Sequence, residues 1–306
     1  MRPIAGGVET SDHPSATGSV APMSASPDLQ LISVQRGDPS SGDARVATIT
    51  IDRPPINLYD GALLREFEQV GIALAHDRDV GAVVVRSAVP GFWIAHFDVA
   101  AILRFPAGVE VFELAQFTRV CELFRSMPKL TIAVIEGRVG GGGSELAMSF
   151  DVRYAARETA IFNQPEVALG ILPGGGGTQR LPRLIGRSRA MEVILGCADI
   201  DARTAEAWGW VNRCFPAGEV LDAAMALARR VASFPPHAVR EAKASVLRAE
   251  HGLPEDLLEE MRGFFRTLGD DRARAAMESF LRLGGQTHDG ETRLGDLVAE
   301  LASELG

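Results

Sequence analysis

The chain has 306 residues, of which 46% are hydrophobic and 23% charged, and it carries a formal net charge of −9. Such a composition belongs to a globular protein long enough to bury a large core, and no apolar run approaches the roughly 20 residues of a membrane span. An acidic balance offers no field to draw a phosphate backbone, which argues against nucleic acid as a partner and leaves small anionic ligands to local sites.

Residues 1–28, "MRPIAGGVETSDHPSATGSVAPMSASPD", are rich in Ser, Pro, Gly and Ala without periodicity and predict a disordered leader. They lack the basic and apolar regions of a secretory signal and the arginines of a transit peptide, so the expected location is the cytoplasm. From Leu29 the pattern turns to short β-rich runs. "LQLISVQRG" and "RVATITIDR" read as strands, "GALLREFEQVGIALAHD" as a helix, and "VGAVVVRSA" as a strand buried on both faces. "KLTIAVIEG" (129–137) predicts another buried strand opening directly onto a glycine run and a helix, with "VRYAA" a short strand beyond. Past residue 217 the β signal stops. "GEVLDAAMALARRVASF", "HAVREAKASVLRAEHG", "PEDLLEEMRGFFRTLG" and "DDRARAAMESFLRLGG" repeat apolar residues at three and four and predict helices. The last stretch, "LGDLVAELASELG", reads as a further amphipathic helix or a loose end. The expected organisation is therefore a leader at 1–28, an α/β core at 29–217 and a helical region at 218–306.

Three cysteines, Cys121, Cys197 and Cys214, lie far apart and form no C-x-x-C pair, which fits buried thiols in a reducing compartment. The six histidines include no H-E-x-x-H spacing, and no metal is expected.

Chemistry concentrates in the glycines. "VGGGGSELAM" (139–148) runs four glycines into a predicted helix start carrying Glu145, with Ser144 as candidate N-cap. A glycine turn at a helix start lets a ligand approach main-chain N–H groups at the positive end of the helix, a site for negative charge or for an oxygen that becomes anionic during reaction. Taken alone, Glu145 reads first as an acid stabilising that first turn through the helix dipole. "IFNQPEVALGILPGGGGTQR" (161–180) changes the weighing: Glu166 precedes a second glycine run, Gly174–Gly177, and a second helix near Thr178. Two carboxylates beside two glycine turns are able to share a pocket and move protons on and off carbon and water.

"GRVGGGGSELAMSFDVRYAA", "FNQPEVALGILPGGGGTQRL" and "ARTAEAWGWVNRCF" together resemble the enoyl-CoA hydratase/isomerase, or crotonase, superfamily, from about Leu29 to about Leu283. The resemblance implies an α/β fold, a crotonase-like spiral of ββα repeats with a C-terminal helical region that builds homotrimers, often paired into hexamers. It also implies an acyl-CoA substrate and no separate cofactor, coenzyme A being part of the substrate. By the same resemblance Glu145 matches the glutamate that activates water and Glu166 the one that exchanges a proton with the α-carbon. Gly142 matches one N–H donor of the oxyanion hole, Ala95 in "FWIAHFD" is assigned the other, and Gly174 matches a main-chain position that holds the water.

The chain departs from the family where F-x-A-G-A-D is usual. Here "WIAHFD" puts His96 for a glycine and Phe97 for a small residue, followed by Asp98. These three are expected to border the substrate, with a packing or turn role as the plainer reading of His96. The lysine common after that run is Ala100, so a basic contact to the coenzyme phosphates is assigned to Arg104 or Arg282. Both glutamates favour hydration of a 2-enoyl-CoA to a 3-hydroxyacyl-CoA. Isomerisation or another acyl-CoA lyase or hydrolase reaction, and a non-catalytic acyl-CoA-binding scaffold, are the alternatives. Ser144 has no recognisable histidine and aspartate partners for nucleophilic catalysis.

Overall fold

In the computed structural model, residues 29–305 are described apart from Pro39, Ser41 and 107–108, so the predicted leader lies outside the described residues. Strands β1 (Ile32–Arg36) and β2 (Val46–Ile51) pair antiparallel, and α1 (Gly61–His76) follows. The Asp60 carboxylate caps α1 by accepting from the Ala62 and Leu63 amides, both at 3.0 Å, two of the donors a helix start leaves orphaned. One face of α1, with Leu63, Phe67, Val70 and Leu74, is buried on the core.

The chain then takes up a repeating plan. Strands β3 (Ala82–Ser87) and β4 (Phe92–Ile94) lead to α2 (Val99–Ile102) and α3 (Gln116–Ser126). Strands β5 (Leu130–Ile135) and β6 (Arg138–Gly140) lead to α4 (Gly141–Ser149). Strands β7 (Val152–Ala156) and β8 (Ile161–Asn163) lead through a 3-10 turn, Glu166–Leu169, to α5 (Gly177–Ile185) and α6 (Arg187–Gly196). After β9 (Ile200–Asp201), α7 (Ala202–Trp208) and β10 (Arg213–Phe215), the rest is helical. In each ββα repeat the first strand joins a six-stranded sheet, ordered β1-β2-β3-β5-β7-β10, and the second joins a four-stranded sheet, β4-β6-β8-β9. This is the crotonase spiral. Within the larger sheet every pair beyond β1·β2 is parallel.

The near-continuous apolar run of β3 is explained by two layers. Val83 and Val85 belong to the cluster around α1 and α3, while Ala82 and Val84 face the opposite cluster formed with α8 (Val220–Ala232). Helix α8 reaches the sheet through Ala224, Ala228 and Ala232, small residues one turn apart. The division expected at 217 thus falls just before a helix that covers the core sheet. The helices beyond it are α9 (Pro236–Leu247), α10 (Leu253–Leu268), α11 (Asp271–Arg282), α12 (His288–Thr292) and α13 (Leu294–Leu305). The C-terminal stretch is a helix, its Leu294, Leu297 and Leu301 buried in a cluster with Ala273, Met277 and Phe280 of α11.

The segment 129–137 differs from the single strand expected to run straight into the glycines. Strand β5 ends at Ile135, and the chain turns into the other sheet as β6. The turn passes so close to β4 that a Cβ on Gly137 would lie 2.5 Å from the Phe92 amide nitrogen.

Candidate active site

Helix α4 begins among the glycines, with Gly140 as its N-cap residue and Gly141 as its first residue. This corrects the expectation for Ser144, which is inside the helix with its hydroxyl buried and unpartnered, and for Glu145, which sits beyond the first turn. Most of the glycines answer to the protein's own packing. A Cβ on Gly140 would lie 2.7 Å from the Ala95 carbonyl oxygen, and one on Gly143 only 2.5 Å from that of Ile94. Gly141, at φ +44, sits where a Cβ would come within 2.8 Å of Glu166 Oε1. Gly142 alone of the four lines the cavity described below. Gly143→Ala is therefore expected to lose more to overpacking, about 1–3 kcal/mol, than the roughly 1 kcal/mol that alanine gains over glycine in a helix. A lower urea midpoint checks it.

Between these elements lies a cavity of about 470 Å³ bordered by Gly142, Glu145, Glu166 and Gly174. Its walls are mainly apolar, with Phe97, Phe117, Leu169, Ile171, Met261 and Phe264 drawn from four regions of the chain. Arg104 is also on its border. Arg282 is instead engaged with Ser279 and with Glu304 of α13, so the two arginines named from the sequence part company.

The donor assigned to Ala95 has to be corrected. Its amide already donates to the Ile56 carbonyl at 3.2 Å, and Ala95 does not border the cavity. Two residues on, the His96 carbonyl accepts from Tyr59 at 2.9 Å and the Asp98 amide donates to Tyr59 at 2.9 Å. That pairing turns the amide of Phe97 to the opposite side of the strand, where it donates to no carbonyl among the described residues. A Cβ on Gly142 would lie 3.4 Å from this nitrogen. Gly142 itself is in the first turn of α4, whose amides have no carbonyl one turn earlier in the helix. The neighbouring unpaired amides are those of Phe97 and Gly142. The signal was in the motif, since the second alanine of the family run aligns with Phe97.

Both predicted glutamates are at the cavity and buried. Glu145 Oε1 accepts from the amides of Gly175 and Gly177, each at 2.8 Å. Burial raises its carboxyl above the usual range, while those two amides and Arg180 pull the other way. Glu166 is raised well above the usual range, first by burial and then by the charges of Glu145 and Glu260. Turned to its satisfied orientation, the Gln164 amide nitrogen donates to Glu166 Oε2 at 3.1 Å. Glu260, on α10, is a third buried carboxylate, and sequence reading missed it because "LLEEMRGFF" looks like an ordinary amphipathic helix. Its carboxyl is pushed up to about 8, chiefly by burial and then by Glu145.

His96 borders the cavity, but both its ring nitrogens face acceptors: Nδ1 the Phe97 carbonyl at 2.7 Å and Nε2 the Glu291 carboxylate at 2.9 Å. It offers a ligand only ring carbon, in keeping with the packing reading. Asp98 is not at the cavity; its carboxylate accepts from the Gln286 side chain at 2.9 Å, so its expected place beside the substrate is corrected to a tie with the C-terminal region. The three cysteines are free and buried. Among the described residues no cluster of His, Cys, Asp or Glu is suited to a metal ion, and no helix is long and apolar enough to cross a membrane.

The sequence model of the Enoyl-CoA hydratase/isomerase family matches residues 41–285. "Probable enoyl-CoA hydratase echA8" of Mycobacterium tuberculosis is 36% identical over 251 residues, covering 78% of this chain and 92% of that protein. The Short-chain-enoyl-CoA hydratase of Clostridium acetobutylicum is 31% identical over 245 residues, with 78% and 92% covered. A crystal structure from Streptomyces avermitilis, of a protein named as a candidate enoyl-CoA hydratase, superposes with a TM-score of 0.80 at 35% identity, covering 90% of this chain and 99% of that one.

Proposed function

The chain belongs to the enoyl-CoA hydratase/isomerase family, and from that premise we propose that it adds water to a 2-enoyl-CoA to give a 3-hydroxyacyl-CoA. The observation that carries this reading is the meeting, at one mainly apolar cavity, of two buried glutamates with the unpaired amides of Phe97 and Gly142. The thioester oxygen takes both amides as donors. Charge built on that oxygen as water attacks the β-carbon is then held by groups that need no reorganisation, each worth about 100- to 1,000-fold in rate.

The proton traffic follows from the two environments. Glu145, supported by two amides and Arg180, is the easier of the pair to ionise and takes the proton from water. Glu166, more strongly raised, holds its proton and delivers it to the α-carbon of the enolate. The water's hydroxyl goes to the β-carbon and its proton to Glu145; passing that proton on restores Glu166 for the next turnover. The main chain at Gly174 holds the water, and Arg104 faces the coenzyme phosphates. No separate cofactor enters the reaction. Trimers, alone or paired into hexamers, are the assembly this reading carries, supported by the absence of any buried residue on α9.

Crotonyl-CoA and longer 2-enoyl-CoAs are expected to lose their conjugation absorbance on incubation with the protein, with products heavier by one water. Product of unchanged mass would assign an isomerase instead, and no turnover across the panel would remove the reading.

A further inference from the structure

The second glycine run is gripped from two sides. Glu145 of α4 takes the amides of Gly175 and Gly177 on a single oxygen, Oε1. Glu260 of α10 takes the amide that follows each of these, Gly176 on Oε1 and Thr178 on Oε2, the latter at 2.8 Å, and its Oε2 also accepts the Thr178 hydroxyl. Four successive amides thus alternate between two buried carboxylates. The alternation depends on Gly176 at φ +112. Glu145 Oε2 accepts no hydrogen bond among the described residues, and it lies 2.5 Å from where a Cβ on cavity-lining Gly175 would sit.

Resting on the hydratase reading above, we propose that Glu260 is a positioning residue for the reaction: by holding Gly176 and Thr178 it fixes the directions of the Gly175 and Gly177 amides, and so aims the free oxygen of Glu145 at the water. Helix α10 lies outside the ββα repeats, so the C-terminal region completes the proton-moving machinery from a distance. The groups facing Glu260 are Glu145 from α4, Glu166 from the 3-10 turn and Arg180 from α5. Arg180 is itself tied to the Gly175 carbonyl and to Glu122 of α3, each at 2.7 Å, so the cluster holds more carboxylates than cations. Once pH passes the value of about 8 at which it ionises, Glu260 therefore also helps Glu166 keep its proton.

A residue that merely capped α5 would lower the melting temperature when changed and leave the chemistry alone. Glu260→Gln, assayed in the full-length protein with crotonyl-CoA, is expected to lower kcat by about 10- to 100-fold, the scale of a small misplacement of a reacting group, with little change in KM. Its alkaline limb is expected to move to lower pH, because Glu166 loses a neighbouring negative charge. Thr178→Val, which removes one donor from the same carboxylate, is expected to show a smaller fall in kcat in a chain that folds. Carbon-13 NMR of labelled glutamates, assigned with Glu166→Gln, is expected to show the Glu166 titration moved downwards in Glu260→Gln, and this readout does not depend on turnover. Wild-type kcat in both variants, or a Glu166 titration and alkaline limb left in place, would overturn the proposal. Failure of the wild-type protein to hydrate any enoyl-CoA would instead strike the hydratase reading, with the NMR titration still deciding the coupling.

Discussion

Glu166→Gln is expected to lower kcat for hydration by about 100- to 10,000-fold while leaving KM within a few-fold, the signature of a proton-transfer group removed from the transition state. The exchange is nearly isosteric and cannot be blamed on packing. What it removes is the proton that burial, Glu145 and Glu260 hold on the carboxyl. Hydration run in deuterated water reads the same loss at the carbon atom. Glu166→Gln should lose deuterium incorporation at the α-carbon together with turnover. Glu145→Gln keeps an oxygen able to accept from Gly175 and Gly177, and loses only the base. A Glu166→Gln enzyme that retained wild-type kcat would end the assignment.

The same electrostatics set the pH profile. The proposed mechanism requires Glu145 ionised and Glu166 protonated, so its acid limb is expected to follow Glu145 and its alkaline limb Glu166. Both carboxyls are raised from 4.5, Glu166 the more strongly. The working window therefore lies on the alkaline side of the ordinary carboxylate range and closes as pH rises through the Glu166 value.

The glutamates and the long strands were legible because each has a local signature: a glycine run beside an acid, or a block of β-branched residues such as "GAVVVRS". Strands β4 and β6 were not, since "FWI" and "RVG" are too short for periodicity to show. The start of α4 was read too late because glycine is a poor helix former, while here the helix opens on glycines that let β4 and β8 press against it. Ala95 and Phe97 are two residues apart in the segment that follows β4, and only the pairing with Ile56 and Tyr59 tells which amide is free. Glu260 was illegible for another reason. Its partners at 176 and 178 are some eighty residues away, and no local pattern marks an acid that will face inward.

Glu291→Ala is expected to cost about 3–5 kcal/mol of stability, because removing one partner of a buried ion pair strands the other. His96, a glycine in relatives of the family pattern, is buried with acceptors on both ring nitrogens, an arrangement that only the doubly protonated ring satisfies. Burial works against that charge, but Glu291 beside Nε2 outweighs it, with help from the Phe97 carbonyl and Asp98, and raises His96 above 6.5. The same contact draws Glu291 below 4.5 against its own burial. A raised histidine contributes stability that is complete below its unfolded value and is lost as pH rises through its folded one. A lowered carboxylate contributes stability that is present above its unfolded value and is lost as pH falls through its folded one. The gap in urea midpoint between wild type and Glu291→Ala should therefore be widest between pH 4.5 and 6.5 and narrow on the alkaline side, as the imidazolium gives up its proton. A gap that stayed constant to high pH would mean that His96 is neutral and that the two residues merely pack. Because His96 immediately precedes the Phe97 amide and is bonded to the Phe97 carbonyl, Glu291→Ala should also loosen the proposed oxyanion donor and lower kcat where the fold survives.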